Sequence, residues 1–367
     1  MKYILNDIAV ITSSKRIFAN EYQSTGIPFY RGKEITQLYN HKAFSDLLYI
    51  SEKKYNELIQ NVGVPQENDI LITAVGTIGS LYLVNKDDKF YFKDGNLIWL
   101  KNIDKTKVIP KYLYYLLSTD ETHSLIDSIT IGSTQTALTI EGVKMLNFDF
   151  PELKVQQHIV DTIGSIDDLI ENIEEKTQQI KEYGNKLFSK IPLDNLECLT
   201  NKVTFSKGKE IGSLNYLDKQ TDDSIPYIRV GDLISENYDT FTISKDIPLC
   251  YEEDILITFD GAPGRNNYGL NGAISSGVQK VICEPKIKGF VYFYLNSDLC
   301  QNTIQANAQG TTILHASKAI KELKIPIIKD EYKYQKFNNL FNYLIVLSKE
   351  KNILKTQKHL LLQKYFG

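Results

Sequence analysis

One pentapeptide occurs twice in this chain, and its two settings match. Asp69-Ile70-Leu71-Ile72-Thr73 returns unchanged as Asp254-Ile255-Leu256-Ile257-Thr258, and each copy runs into Gly-x-x-Gly, at Gly76 to Gly79 and Gly261 to Gly264. Upstream, Ile27-Pro28-Phe29-Tyr30-Arg31 is matched by Ile225-Pro226-Tyr227-Ile228-Arg229, with an acid and an aliphatic at the same distance in each, Glu34-Ile35 and Asp232-Leu233. Downstream, the Tyr-rich stretch with Tyr112, Tyr114 and Tyr115 is matched by Tyr292, Phe293 and Tyr294, and a Gly-Ser-Thr run at Gly132 by Gly310-Thr311-Thr312. Each series ends in an apolar run around a proline, Pro151 or Pro326, followed by a long helical pattern. The repeating unit is about 180 residues, far too long for a solenoid repeat, so it is a duplicated domain.

A chain of 367 residues with 42% hydrophobic content can bury two ordinary cores. No apolar run is long enough to span a bilayer, and the start lacks the features of a signal peptide, so a cytoplasmic location is expected. Cys198, Cys250, Cys283 and Cys300 are widely spaced in the second half, which suggests buried free thiols rather than a zinc or disulfide framework. The formal net charge is −3. A protein that gripped nucleic acid by bulk phosphate neutralisation alone would carry a basic balance, so any DNA target implies a partner that shares the grip.

Within each unit, the repeated pentapeptide is an apolar β-branched run ending in glycines, which reads as a buried strand entering a tight turn. Further strands are expected at Leu97 to Leu100 and Val278 to Cys283. Helices are expected near 111–118 and 289–297, with another after each Gly-Ser/Thr run. The two closing patterns have heptad spacing. In the first, Ile159, Ile163, Ile166, Ile170, Ile173, Ile180 and Leu187 are joined by Thr177 and Gly184 at steps of four and three. In the second, Leu340, Leu344, Leu347, Leu354 and Leu361 form the stripe with Tyr365, interrupted by Lys351 and Lys358, whose stems can pack at a seam edge.

Residues 152–190 hold 5 Lys against 8 Asp and Glu, and residues 329–367 hold 8 Lys against 3. Opposite charge flanking two heptad seams favours pairing between the helices, and their connectivity makes an antiparallel pair the simplest. About 38 helical residues would span roughly 57 Å, more than one DNA turn of about 34 to 36 Å. The expected architecture is α+β: two tandem mixed α/β domains over 1–151 and 191–328, each followed by a long helix, over 152–190 and 329–367, the helices pairing as an antiparallel coiled coil.

The order of these motifs, present twice, resembles the DNA-specificity subunit of type I restriction-modification enzymes along essentially the whole chain. The segment from Pro151 to Ile159 looks like that family's entry into its first long helix, and Gln335 marks a more diverged second copy. The resemblance implies a non-catalytic subunit. Each domain would be a target-recognition domain reading one half of a split double-stranded DNA site, with the paired helices fixing the unread gap. Methyltransferase subunits, two of them, and restriction or translocase subunits would be the partners. It implies no cofactor here, S-adenosylmethionine, ATP and magnesium being used by those partners. The chain offers no phosphate loop, nucleophile elbow, metal-spaced histidines or amino-methyltransferase tetrapeptide. A second reading with the same repeat and helices is a protein-interaction scaffold that binds no nucleic acid.

Candidate DNA contacts start from the four arginines, set among 38 lysines. Arg31 and Arg229 occupy matching places, and two roles stand open for them: phosphate contact, or a pair with the nearby Glu34 or Asp232. Arg265, Asn266 and Asn267 lie where the two units differ, which makes them candidate base contacts; a polar surface turn is the alternative. Lys15 and Arg16, and Lys207 and Lys209, recur near each domain's start and could meet phosphates or only solvent. Gln135 and Thr136, with Thr311 and Thr312, could contact the DNA backbone or cap a helix. If the helices act as a ruler, one heptad inserted after Gln178 should lengthen the gap of a methylated site while leaving both half-sites unchanged, as read by methylome sequencing.

Overall fold

The computed structural model describes the whole chain except residues 41–43, 45, 133–135, 237 and 311–313. It divides into two compact units. Unit 1 comprises Met1–Asp168 with Thr356–Gly367, and unit 2 comprises Leu169–Lys355. Both long helices therefore contribute to both units.

Unit 1 is built on two sheets. The repeated pentapeptide supplies Ile70–Thr73, buried throughout, to an antiparallel sheet ordered Val10–Thr12, Leu97–Lys101, Ile70–Thr73, Leu81–Leu83. The second sheet sets Ile27–Tyr30 between Leu48–Ile50, antiparallel, and Tyr91–Phe92, parallel. Unit 2 repeats the plan. Ile255–Ile257 lies in an antiparallel sheet with Gln279–Cys283, Val203–Lys207 and Asn266–Asn267. Ile225–Ile228 pairs in parallel with Gly272–Ile274, as its counterpart does with Tyr91–Phe92. Each unit also ties its start to the strand before its long helix, Lys2–Ile4 with Asn147–Asp149, and Leu196–Cys198 with Lys324–Pro326.

The threonine of each pentapeptide closes the turn that follows. Thr73 Oγ1 donates to the Thr77 carbonyl at 2.5 Å and accepts from Ser80 N at 2.8 Å, while Gly79 N donates to the Thr73 carbonyl. Thr258 Oγ1 donates to the Ala262 carbonyl, and Gly264 N to the Thr258 carbonyl. The outer glycine of each turn has a left-handed φ, 86° at Gly79 and 85° at Gly264. A Cβ there would lie 2.9 Å from His123 Nδ1 or 2.3 Å from Gln301 Oε1. Glycine is thus required twice over, by conformation and by the helix packed beneath.

The Tyr-rich helices span Pro110–Leu117 and Lys288–Leu295, and Leu97–Lys101 and Gln279–Cys283 are strands. Several elements depart from the sequence reading. Helices also form over Gly32–Tyr39, Glu52–Asn61, Asp120–Ser128 and Asp298–Ala306. The last three start at Ser/Thr caps: the hydroxyls of Ser51, Thr119 and Ser297 each accept from the backbone N–H three residues on. The helix after the Gly-Ser/Thr run is α-helical only in unit 1, over Ile140–Lys144; in unit 2, Ser317–Lys321 is a 3-10 turn. Of the four thiols, Cys198 is exposed and Cys283 half-buried, because both sit on strands with one open face; only Cys250 and Cys300 are buried.

The long helices run Leu153–Phe188 and Glu331–Phe366. Ile159, Ile163, Ile170, Ile173, Leu344 and Leu347 are buried, and Ile166, Ile180, Leu187, Leu340, Leu354 and Leu361 are half-buried. Within unit 1, His158 meets Tyr365 while Asp167 pairs with Lys358 at 2.6 Å. Within unit 2, Glu174 lies 3.9 Å from Lys351, and Tyr183 takes Lys336 over its ring. In both units one chain number rises as the other falls, so the helical segments run antiparallel. The lysines that interrupt the second stripe are therefore more than packed stems. Their ammonium groups meet carboxylates, Lys358 that of Asp167 and Lys351 that of Glu236 at 2.7 Å. A heptad inserted after Gln178 falls between the Glu174–Lys351 and Tyr183–Lys336 contacts. The ruler test accordingly needs a matching heptad between Lys336 and Lys351.

The central helix carries two glycines with different surroundings. A Cβ on Gly184 would sit 2.0 Å from the Phe293 ring, in the packed core of unit 2, whereas one on Gly164 would meet only Lys111 Nζ, at 3.2 Å, and the Tyr115 hydroxyl. In a helix, alanine is otherwise preferred over glycine by about 1 kcal/mol. Gly164→Ala is expected to leave urea stability unchanged or slightly raised, and Gly184→Ala to lower it by about 1–3 kcal/mol through overpacking.

Candidate nucleic-acid interface

Arg31 precedes the helix Gly32–Tyr39, and Glu34 turns back to it as in a capping box. The Arg31 N–H donates to Glu34 Oε2 at 2.7 Å, and its guanidinium reaches Glu34 Oε1 at 2.6 Å and the Asp46 carbonyl at 2.8 Å. Of the two roles open for this arginine, the carboxylate pair is formed. Hydrogen bonding to the buried Glu34 holds the Arg31 pKa above its ordinary value. In unit 2 the same local geometry recurs, with Arg229 N donating to Asp232 Oδ2 at 2.7 Å.

Arg31 also borders an open cleft of about 690 Å3 beside the Gly76 turn, whose polar lining includes Lys33, Thr77, Lys93 and Asn96. The segment through Lys93 gathers the candidates from the domain's start. Lys15 N donates to the Tyr91 hydroxyl, Ser14 Oγ to the Phe92 carbonyl, and Arg16 Nε to Asp94 Oδ2 at 2.9 Å. Lys15 is exposed, and Arg16 keeps 69% of its side chain accessible despite its ion pair. Three cations that the sequence reading singled out thus share one region with Lys33 and Lys93, which it did not. The latter two were hidden among many lysines; only the register of Phe92 beside Tyr30 brings Lys93 to this edge.

In unit 2, Lys207 lies 4.0 Å from Asp260, and Lys209 Nζ donates to the Asp246 carbonyl at 3.1 Å. Arg265 stands at the place of Ser80 in the first turn. It donates from Nη1 to the Val230 carbonyl at 2.9 Å, and burial lowers its pKa. Asn266 and Asn267 form a short strand rather than a loop, paired with Leu256 and Ile257. Their amides are bonded inside the unit, Asn266 to Asn296 and the Gly264 carbonyl, Asn267 to the Leu233 carbonyl. Thr136 is exposed, and Gln135, Thr311 and Thr312 lie outside the described residues. Among the described residues, no three or more His, Cys, Asp or Glu side chains are placed to hold a metal ion, and no helix is long and apolar enough to cross a membrane.

Residues 1–182 match the family model described as the type I restriction modification DNA specificity domain. A Haemophilus influenzae protein described as a type I restriction enzyme specificity subunit is 32% identical over 172 residues, which is 47% of this chain and 41% of that relative. The match therefore spans less than half of the relative's length. The crystal structure of a type I restriction-modification system S subunit from M. genitalium superposes with a TM-score of 0.55 at 19% identity, covering 100% of this chain and 96% of that one. The HsdS subunit of Thermoanaerobacter tengcongensis gives a TM-score of 0.37 at 14% identity, with 100% and 96% covered.

Lys33 and Lys93 border the cleft without belonging to the sheets' cores, so they test it cleanly. Lys33→Ala combined with Lys93→Ala is expected to weaken duplex binding whatever the sequence. The slope of log affinity against log salt should become shallower by about 0.9 per lost phosphate contact, with an unchanged melting temperature. Unaltered slope and affinity would place the nucleic acid elsewhere.

Proposed function

Because residues 1–182 match the type I restriction modification DNA specificity domain and the unit they build is repeated in the second half of the chain, we propose that the protein directs partner enzymes to a bipartite sequence in double-stranded DNA. Unit 1 reads one half of the site and unit 2 the other, and the long helices set the number of unread base pairs between them. The observation that carries this reading is the duplication itself. The same two-sheet plan is built twice, each around its own core, while the side chains that border the Gly-x-x-Gly turns differ. One turn has Thr77 in the same cleft lining as Lys33 and Lys93, with Ser80 bonded to Thr36; the other has Arg265 at the place of Ser80, bonded to the Val230 carbonyl.

Division of the site also fits the charge. Each half-site contributes modest discrimination, about 1 to 3 kcal/mol per base pair, and tethering two readers multiplies their selectivity. With a net charge of −3, the chain leaves much of the phosphate contact to other subunits. Those partners are a methyltransferase, present as two subunits, and a restriction subunit with translocase activity. The chemistry and its S-adenosylmethionine, ATP and magnesium belong to them, and this chain acts without catalysing.

The test is co-expression with the methyltransferase subunit of a type I system from the same genome, followed by genome-wide mapping of methylated adenines. A split motif with a fixed gap is expected, and it should vanish when this chain is omitted. Methylation that is absent, or that is the same without this chain, would reject the reading in favour of a protein scaffold.

A further inference from the structure

The two units place different chemistry on one shared piece of backbone. In unit 1, Val75 and Ala137 form a β-bridge, and Ala137 pairs with Ile131 through hydrogen bonds of 2.9 and 3.0 Å. In unit 2 the corresponding bridges are Asp260 with His315 and His315 with Gln309, the latter through bonds of 2.8 and 3.0 Å. The backbone holds the same connection with a valine and an alanine as with an aspartate and a histidine. The polar pair is therefore not needed for the fold at this place.

Its side chains are nevertheless organised. His315 Nδ1 lies 3.0 Å from Asp260 Oδ1, Ser317 Oγ donates to the same carboxylate at 3.2 Å, and Lys207 Nζ approaches it at 4.0 Å. A carboxylate only accepts, so Nδ1 carries the proton and Nε2 is left as the ring's remaining polar atom. The histidine side chain is 64% exposed. An exposed polar contact of this kind contributes little to stability, so stability does not account for three polar groups collected around Asp260. Nor does hydrolysis: the Ser317 hydroxyl donates to Asp260, not to the imidazole, so the histidine does not activate it as a nucleophile. The cluster borders the Gly261 turn, since Gly261 N donates to the Leu314 carbonyl one residue before His315. The matching turn of unit 1 borders the cation-lined cleft.

We propose that His315 is a DNA-contacting residue of unit 2, absent from unit 1, and that Asp260 positions its ring so that Nε2 accepts from a base edge of the second half-site. The inference rests on the reading of the chain as a bipartite DNA reader and adds which side chains set the second half apart. Asp260 has its oxygens occupied by His315, Ser317 and Lys207, so it acts through the histidine rather than on DNA.

The experiment uses the complex with the methyltransferase and a fluorescent duplex bearing the mapped site. Variants are His315→Ala, Asp260→Val, Asp260→Asn and the pair Asp260→Val with His315→Ala, which installs the residues unit 1 carries. Expected are a rise in Kd of about tenfold for His315→Ala, an equal rise for Asp260→Val and no further rise for the pair. Asp260→Asn, which keeps an acceptor for the ring N–H, should stay near the wild type. Single-base variants of the duplex should show any relaxed preference confined to the second half-site. Wild-type affinity and preference in His315→Ala would overturn the contact, and equal losses in Asp260→Asn and Asp260→Val would overturn the positioning role. If the wild-type complex itself prefers no split sequence, the bipartite reading falls, and this inference with it.

Discussion

A side-chain amide fixes the start of each long helix to the Tyr-rich helix beside it, and the packing of each unit depends on that attachment. Gln156 is wholly buried in the first turn of the central helix. Its Oε1 accepts from Ile109 N at 2.9 Å, at the start of the Tyr-rich helix, and its Nε2 donates to the Lys107 and Pro151 carbonyls. One side chain thereby satisfies backbone groups that a helix start leaves open and locks the angle between two helices. In unit 2 the same task falls to Asn338, whose Oδ1 accepts from Gly289 N at 2.6 Å and whose Nδ2 donates to the Pro285 carbonyl. The amide sits one turn further along its helix than Gln156 does. Gln335, which the sequence pattern marks as the counterpart, is exposed. A motif search keyed to spacing follows the glutamine, whereas the physical requirement follows whichever amide reaches the helix start.

Beyond that lock the units diverge in how they hold their helical segments. In unit 1 the junction is polar: Asp167 accepts from the Tyr115 hydroxyl through one oxygen and pairs with Lys358 through the other. Burial and the nearby Asp167 push the Tyr115 pKa up, which keeps the hydroxyl a donor. In unit 2 the junction is aromatic and close-packed. Tyr292 lies against Phe341 and Tyr268, and neither Gly184 nor Gly289 has room for a Cβ. Lys181 and Lys355 sit in this less hydrated setting with pKa values lowered by burial. A polar hub is broken by one charge change, whereas a close-packed one is broken by a single methyl group.

Much of the scaffold was legible because it is written in period and repetition. The twin pentapeptides gave the central strand of one sheet in each unit, and the seam residues from Ile159 to Leu187 follow directly from heptad spacing. Less of the interface was. Lys33 and Lys93 are two lysines among 38, and nothing in their neighbours distinguishes them. Asn266 and Asn267 look like a surface turn in sequence because asparagine favours turns, yet strand pairing with Ile255–Ile257 draws both amides inward. Asp260 and His315 lie 55 residues apart and are joined only by a bridge that local pattern cannot reveal.

Duplication explains why these two kinds of information separate. Residues that the backbone itself demands must appear in both copies: the turn-closing threonines, the glycines with left-handed φ, and the acids at 34 and 232 that receive an arginine N–H. Positions where the backbone is indifferent are free to differ, and the Val75–Ala137 and Asp260–His315 bridges mark such a place, with corresponding bridges and unequal chemistry. In a chain that holds one design twice, the internal comparison of its halves does what an isolated domain cannot. It removes the shared architecture and leaves the side chains whose presence the fold does not require.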